Sequence, residues 1–161
     1  MNRQKPEYVV WSSVFSVGVK IVDDQHRGLF NLVNDMLGHI TSDEISEKDY
    51  FKKVIYQVLQ YIKVHFNTEE EIMIHTKFPG YAEHKKAHDA FVQIAVDTNR
   101  RFESGEKINL EDFTGFLKEW ILTHIAIMDK QYFSYFKLIA TRKTNGKLSI
   151  NLDDVLAYSR K

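Results

Sequence analysis

Seven histidine and carboxylate residues lie at spacings that could bind metal ions. His65 and Glu69 lie four positions apart, as do His84 and His88, and this spacing places both side chains of a pair on one face of a helix. His124 and Asp129 lie five positions apart. The residues are His26, His65, Glu69, His84, His88, His124 and Asp129. Because the sequence contains no cysteine, a metal site here would have to use imidazole nitrogen and carboxylate oxygen.

The seven residues together are stronger evidence for a metal site than any single pair of them. A single i,i+4 pair arises by chance on many helices. Burying five imidazoles and two carboxylates without partners, however, would cost more free energy than a typical domain can tolerate. Seven ligands also exceed the four that a tetrahedral zinc ion takes, so the set predicts a two-metal site.

Other polar residues nearby are expected to lie outside the ligand set. His39 and His75 fall off the inward stripes of their helices and are predicted to be solvated. Glu70 and Glu71 are rotated away from Glu69, so we expect them to be solvated or to contact the ligands from outside.

Four helices must position these residues. Apolar residues recur at helical spacing in four segments, and strand-like alternation is almost absent. Asp23 is the predicted N-cap of the first segment, which runs to about Ile40, and Ser46 caps the second, which ends before Pro79. The third runs over about 82–102, and the fourth extends from an N-cap at Asn109 to Asn145-Gly146.

Short connections between these helices favour an all-α fold, an antiparallel up-down-up-down four-helix bundle with an N-terminal arm and a short C-terminal extension. We expect a single domain over residues 1–161, with a core at about 11–140 and the extension at 141–161.

On a straight helix, residues five apart diverge by about 140°. If His124 and Asp129 are both ligands, a π-bulge is predicted between them.

Composition excludes some partners. The 161 residues include 22 Lys and Arg against 22 Asp and Glu, so the chain lacks the positive charge that nucleic acids or anionic membranes attract. It also lacks an apolar run long enough for a membrane span and an N-terminal signal segment. A cytoplasmic protein is therefore the expectation.

The sequence resembles the bacterial hemerythrins from about Trp11 to about Tyr135. The resemblance rests on four motifs: Asp24-Gln25-His26, His65-Phe66-x-x-Glu69, His84-x-x-x-His88 and His124-Ile125-x-x-x-Asp129. It implies a non-haem centre of two iron ions joined by an oxo or hydroxo group. In that centre His84, His88 and His124 bind one iron, His26 and His65 bind the other, and Glu69 and Asp129 bridge them.

The resemblance also implies reversible O2 binding at an open position on the two-histidine iron, for carriage, storage, delivery or sensing. The expected wall of this pocket is apolar and comprises Leu29, Phe66, Trp120, Ile121 and Ile125. Expected partners are O2, nitric oxide or small anions, and an oxygen-using protein. The main alternative is a di-iron enzyme (an oxidase, peroxidase or nitric oxide reductase), for which an inward proton donor is the feature to seek. An iron-storage module is the third interpretation.

Overall fold

The computed structural model describes residues 7–41 and 43–143, with side chains up to residue 139. A short 3-10 turn, Ser13–Phe15, precedes the helices α1 (Lys20–Gly38), α2 (Glu44–Thr76), α3 (Tyr81–Glu103) and α4 (Leu110–His124). A π-helical segment, Ile125–Asp129, joins α4 directly to α5 (Lys130–Lys143), so these three pieces form one long helix. The first three residues of the predicted extension, 141–143, belong to α5. The predicted closure at Asn145-Gly146 and the rest of that extension lie outside the described residues.

The helices form the expected bundle. Helix α1 packs against α2 and α4, and α2 packs against α3, which confirms the predicted all-α four-helix architecture. The N-terminal arm lies along α1, where the Asn34 side chain accepts a hydrogen bond from the Val9 backbone N–H (2.7 Å) and donates one to the Val9 carbonyl (2.8 Å). Within the described part of the chain, no helix is long and apolar enough to cross a membrane.

Two of the predicted helix starts are wrong. Asp23 is not an N-cap but lies inside the first turn of α1, because its carboxylate accepts hydrogen bonds from the Val17 N–H (2.7 Å) and the Ser16 hydroxyl (2.6 Å) of the preceding arm. Helix α2 begins before Ser46, because Asp43 is its N-cap and accepts a hydrogen bond from the Ile45 N–H. The predicted Asn109 cap of α4 is confirmed, since its side chain accepts from the Asp112 N–H at 3.1 Å.

The apolar core is divided into two clusters. The larger contains Leu29, Phe66 and Ile125, and the smaller contains Val22, Ile72, Met73, Tyr132, Phe133 and Phe136. Along α1, α2 and the long fourth helix, the buried side chains pass from one cluster to the other at a predicted ligand. These positions are His26, Glu69 and Asp129. The candidate ligands therefore form a polar layer between two apolar ones.

Candidate metal centre

The π-helical segment brings His124 and Asp129 together. In a regular α-helix these residues would point about 140° apart, because each residue advances the helix by about 100°. The segment Ile125–Asp129 absorbs one additional residue, and Asp129 Oδ1 lies 3.1 Å from His124 Nε2. Asp129 is fully buried. The predicted π-bulge is therefore confirmed.

Three histidines from two helices converge on one point. His124 Nε2 lies 3.0 Å from His84 Nε2 and 3.1 Å from His88 Nε2. Asp129 Oδ1 joins this group, at 3.2 Å from His84 Nε2. An ion bound at about 2.1 Å by ligands at right angles requires donor atoms about 3.0 Å apart. The spacing of these atoms therefore matches adjacent ligands of one octahedral ion.

The other two histidines lie on the opposite side of the carboxylates. His26 Nε2 is 3.2 Å from Asp129 Oδ2 and 3.7 Å from Glu69 Oε1. His65 Nε2 is 3.8 Å from Glu69 Oε2, and this same oxygen lies 3.4 Å from His88 Nε2. Each carboxylate therefore lies between the two histidine groups, where a bridging ligand would have to be.

Two overlapping groups of potential metal ligands result. One comprises Glu69, His84, His88 and His124, and the other comprises His26, His65, Glu69 and Asp129. All of these side chains are buried. Both oxygens of Glu69, both oxygens of Asp129 and Nε2 of His26 have no hydrogen-bond partner. Because unpartnered buried polar atoms are costly, they are the atoms that a metal pair would be expected to satisfy.

Burial and the neighbouring charges shift the pKa values of the histidines and carboxylates in the cluster. Burial lowers the pKa of His65 to about 4. Burial opposes protonation of His26 and His84 too, but the carboxylates of Asp129 and Glu69 beside them raise each pKa to about 9. Burial also opposes ionisation of Asp129, yet the neighbouring histidines hold its pKa far below the usual range. The buried carboxylate of Asp129 therefore places negative charge among the imidazoles.

Two outer contacts orient the histidines, and the sequence pattern had allowed for the first of them only. Glu70 Oε1 lies 3.1 Å from His88 Nδ1, so Glu70 contacts a candidate ligand from outside, one of the two outcomes expected for it. Gln25 Oε1 lies 3.1 Å from His65 Nδ1. Both contacts leave the Nε2 atom of the histidine facing the cluster, as ligation requires. The signal for Gln25 was its place in the Asp24-Gln25-His26 motif.

Phe66 and Trp120 cover the three-histidine side of the cluster. The Phe66 ring stacks on His88, with centroids 3.7 Å apart, and the Trp120 ring stacks on His124 at 4.3 Å. Phe66 is farther from His65, at 5.7 Å. Leu29, Ile121 and Ile125 are buried in the same apolar cluster. Phe66 and Trp120 therefore lie closest to the three-histidine group and not to the two-histidine group where the pocket wall was expected, because adjacent residues such as His65 and Phe66 point in different directions from a helix.

Other polar residues have simpler positions. His39 and His75 are exposed, as predicted. Tyr132 is fully buried, and its ring lies 6.2 Å from that of His84.

A bundle that buries two overlapping groups of histidines and carboxylates belongs to a class of proteins that hold metal ions between their helices. The family model "Hemerythrin HHE cation binding domain" matches residues 17–136, and this chain belongs to the hemerythrin family. It is 30% identical to the bacteriohemerythrin of Methylococcus capsulatus over 125 residues, which cover 77% of this chain and 93% of that protein.

Further relatives agree. A hemerythrin-like protein from Naegleria gruberi is 29% identical over 122 residues, which cover 76% of this chain and 88% of that protein. The crystal structure of a wild-type hemerythrin superimposes with a TM-score of 0.68 at 29% identity, over 78% of this chain and 95% of that chain. The similarity therefore extends through the helices that carry the candidate ligands.

Proposed function

We propose that this chain binds O2 reversibly at a pair of non-haem iron ions bridged by carboxylates. His84, His88 and His124 would hold one iron, His26 and His65 would hold the other, and Glu69 and Asp129 would bridge them. The observation that carries the proposal is that the two oxygens of Asp129 face different histidine groups, at 3.1 Å from His124 and 3.2 Å from His26. Two iron ions would supply the electrons that O2 binding requires.

The protein residues around the site support a carrier. The five imidazoles are neutral ligands, so the set is less anionic than the four-glutamate, two-histidine set of ferritin-like proteins. Leu29, Ile121 and Ile125 are at most 3% exposed and would exclude water from bound oxygen. Exclusion of water matters because protonation or displacement by water would release reduced oxygen irreversibly.

The domain organisation follows the same proposal. The chain is a single hemerythrin-like domain with a core at about residues 11–140, and the segment 141–161 is an extension without an assigned role. The family alternative of a di-iron oxidase, peroxidase or nitric oxide reductase uses the same ligands, so it differs from a carrier in the fate of the oxygen and not in the metal content.

Iron content tests the ligand assignment. Purified chain loaded anaerobically should hold about two irons, whereas His65→Ala and Glu69→Ala should hold fewer and should melt at lower temperature, because metal binding and folding are coupled. His39→Ala is the matched control, since His39 is an exposed histidine of the same bundle. Full iron content in both ligand variants would contradict the assignment.

A further inference from the structure

His65 is held from outside by a chain of hydrogen bonds that begins at the backbone of its own helix. The Thr68 hydroxyl donates to the Val64 carbonyl at 2.9 Å. The Gln25 side-chain amide donates to the Thr68 hydroxyl oxygen at 3.1 Å, and the Gln25 Oε1 lies 3.1 Å from His65 Nδ1. The chain therefore links two helices, because Gln25 lies on α1 and the other residues lie on α2.

The direction of every hydrogen bond in this chain follows from its first member. A backbone carbonyl can only accept, so Thr68 must donate its single hydroxyl hydrogen to Val64. The Thr68 oxygen is then left to accept, which turns the NH2 end of Gln25 toward it and the carbonyl end toward His65. Since an amide carbonyl also only accepts, His65 must carry its hydrogen on Nδ1.

We propose that Thr68 and Gln25 are positioning residues that fix His65 in the Nδ1-protonated tautomer, so that its Nε2 lone pair faces the metal centre. This inference rests on the proposed function, because it assigns a purpose to the Nε2 atom. A reversed Gln25 amide would present NH2 to His65 Nδ1 and favour the tautomer that carries its hydrogen on Nε2. In that tautomer the Nε2 atom has no lone pair to offer the metal centre.

In the three-histidine group, a carboxylate and not an amide contacts the Nδ1 atom of a histidine. His88 Nδ1 lies 3.1 Å from a carboxylate oxygen of Glu70, and both oxygens of a carboxylate accept. Glu70 therefore needs no neighbour to orient it, whereas the amide of Gln25 does. Tyr61 adds a further anchor on the other side, because its hydroxyl donates to the Gln25 backbone carbonyl at 2.9 Å.

A double-mutant cycle tests the role of Thr68. The variants are Thr68→Val, Gln25→Glu and the combination of both, with Thr68→Ser as the conservative variant that keeps the hydroxyl. Gln57→Met is the control, since Gln57 lines the same surface groove as Gln25 but has no part in the chain of hydrogen bonds. The measurement is an anaerobic Fe(II) titration of the full chain against a competing chelator, with the melting temperature recorded for each variant.

The proposal makes a prediction that packing alone does not. Thr68→Val should lower the affinity of the more weakly bound of the two irons by about 10–100-fold, the usual effect of losing such an outer contact. Thr68→Ser and Gln57→Met should bind iron as the wild type does. In the Gln25→Glu background, Thr68→Val should have no effect on iron affinity, because a carboxylate has no NH2 end to orient.

The outcomes are distinct. An equal loss of affinity from Thr68→Val in both backgrounds, or no loss in either, would overturn the proposed role of the hydrogen-bond chain. Wild-type protein that binds fewer than about two irons would instead contradict the proposed function itself. Rescue of iron affinity in the double variant would support the inference, since a purely structural defect at Thr68 would persist there.

Discussion

The contact between Gly28 and Tyr61 predicts that two Gly→Ala substitutions in exposed or half-buried helix positions will have opposite effects. A Cβ atom at Gly28 of α1 would lie 1.8 Å from the Tyr61 hydroxyl oxygen and 2.5 Å from Tyr61 Cζ. A Cβ atom at Gly115 of α4 would have no atom within 4 Å. Gly28→Ala therefore displaces a ring, and Gly115→Ala displaces nothing.

The expected magnitudes follow from these distances. Gly115→Ala should raise the free energy of unfolding by about 1 kcal/mol, the difference in helix propensity, or about 2–4 °C in melting temperature for a domain of this size. Gly28→Ala gains the same helix propensity, but overpacking against Tyr61 should lower its free energy of unfolding by about 1–3 kcal/mol. It also loses about 0.5–1.5 kcal/mol because Tyr61 can no longer donate to the Gln25 carbonyl. Its net effect should be destabilising.

Urea unfolding of both variants, followed by circular dichroism, measures the difference. The two variants should differ by more than 1 kcal/mol, on the order of the overpacking cost alone. If Gly28→Ala stabilises the chain as much as Gly115→Ala does, then Tyr61 does not lie over Gly28, and the anchor assigned to Gln25 is absent.

Two further predictions concern the pocket and a helix cap. Ile121 is 3% exposed and lies one turn before His124, so Ile121→Ala should cost about 2–5 kcal/mol. Ile121→Ala should also shorten the lifetime of the oxygenated state in stopped-flow experiments, while the iron content stays unchanged. An unchanged lifetime in alanine variants of Leu29, Ile121 and Ile125 would show that water access is controlled elsewhere. Asn109→Ala should cost about 1 kcal/mol, because the side chain caps α4. Asn109→Asp, which keeps the acceptor, is its control, and equal stability of the two variants would contradict the cap.

The sequence predicted the bundle and the candidate ligands because both depend on periodicity. Helical spacing alone placed His26, His65 and Glu69 on inward faces. A straight helix cannot direct both His124 and Asp129 at one metal centre, so the assignment of both residues as ligands predicted the π segment.

Other features could not be predicted because they depend on contacts between segments distant in sequence. Asp23 has the residue type and position of an N-cap, but its carboxylate is used by the arm before the helix. The contact of Gln25 with His65 joins residues 40 positions apart. Likewise, the stacking of Phe66 on His88 depends on how α2 packs against α3, which a single-helix pattern does not contain.

The central claim is tested most directly by the reversibility of oxygen binding. The iron-loaded chain is reduced anaerobically, exposed to air while the visible spectrum is recorded, and then returned to an oxygen-free atmosphere without added reductant. A carrier predicts a charge-transfer band that appears with O2, disappears when O2 is removed and returns in a second cycle. Immediate conversion to a diferric spectrum that no longer responds to O2 removal would contradict the account and would instead identify an oxidase.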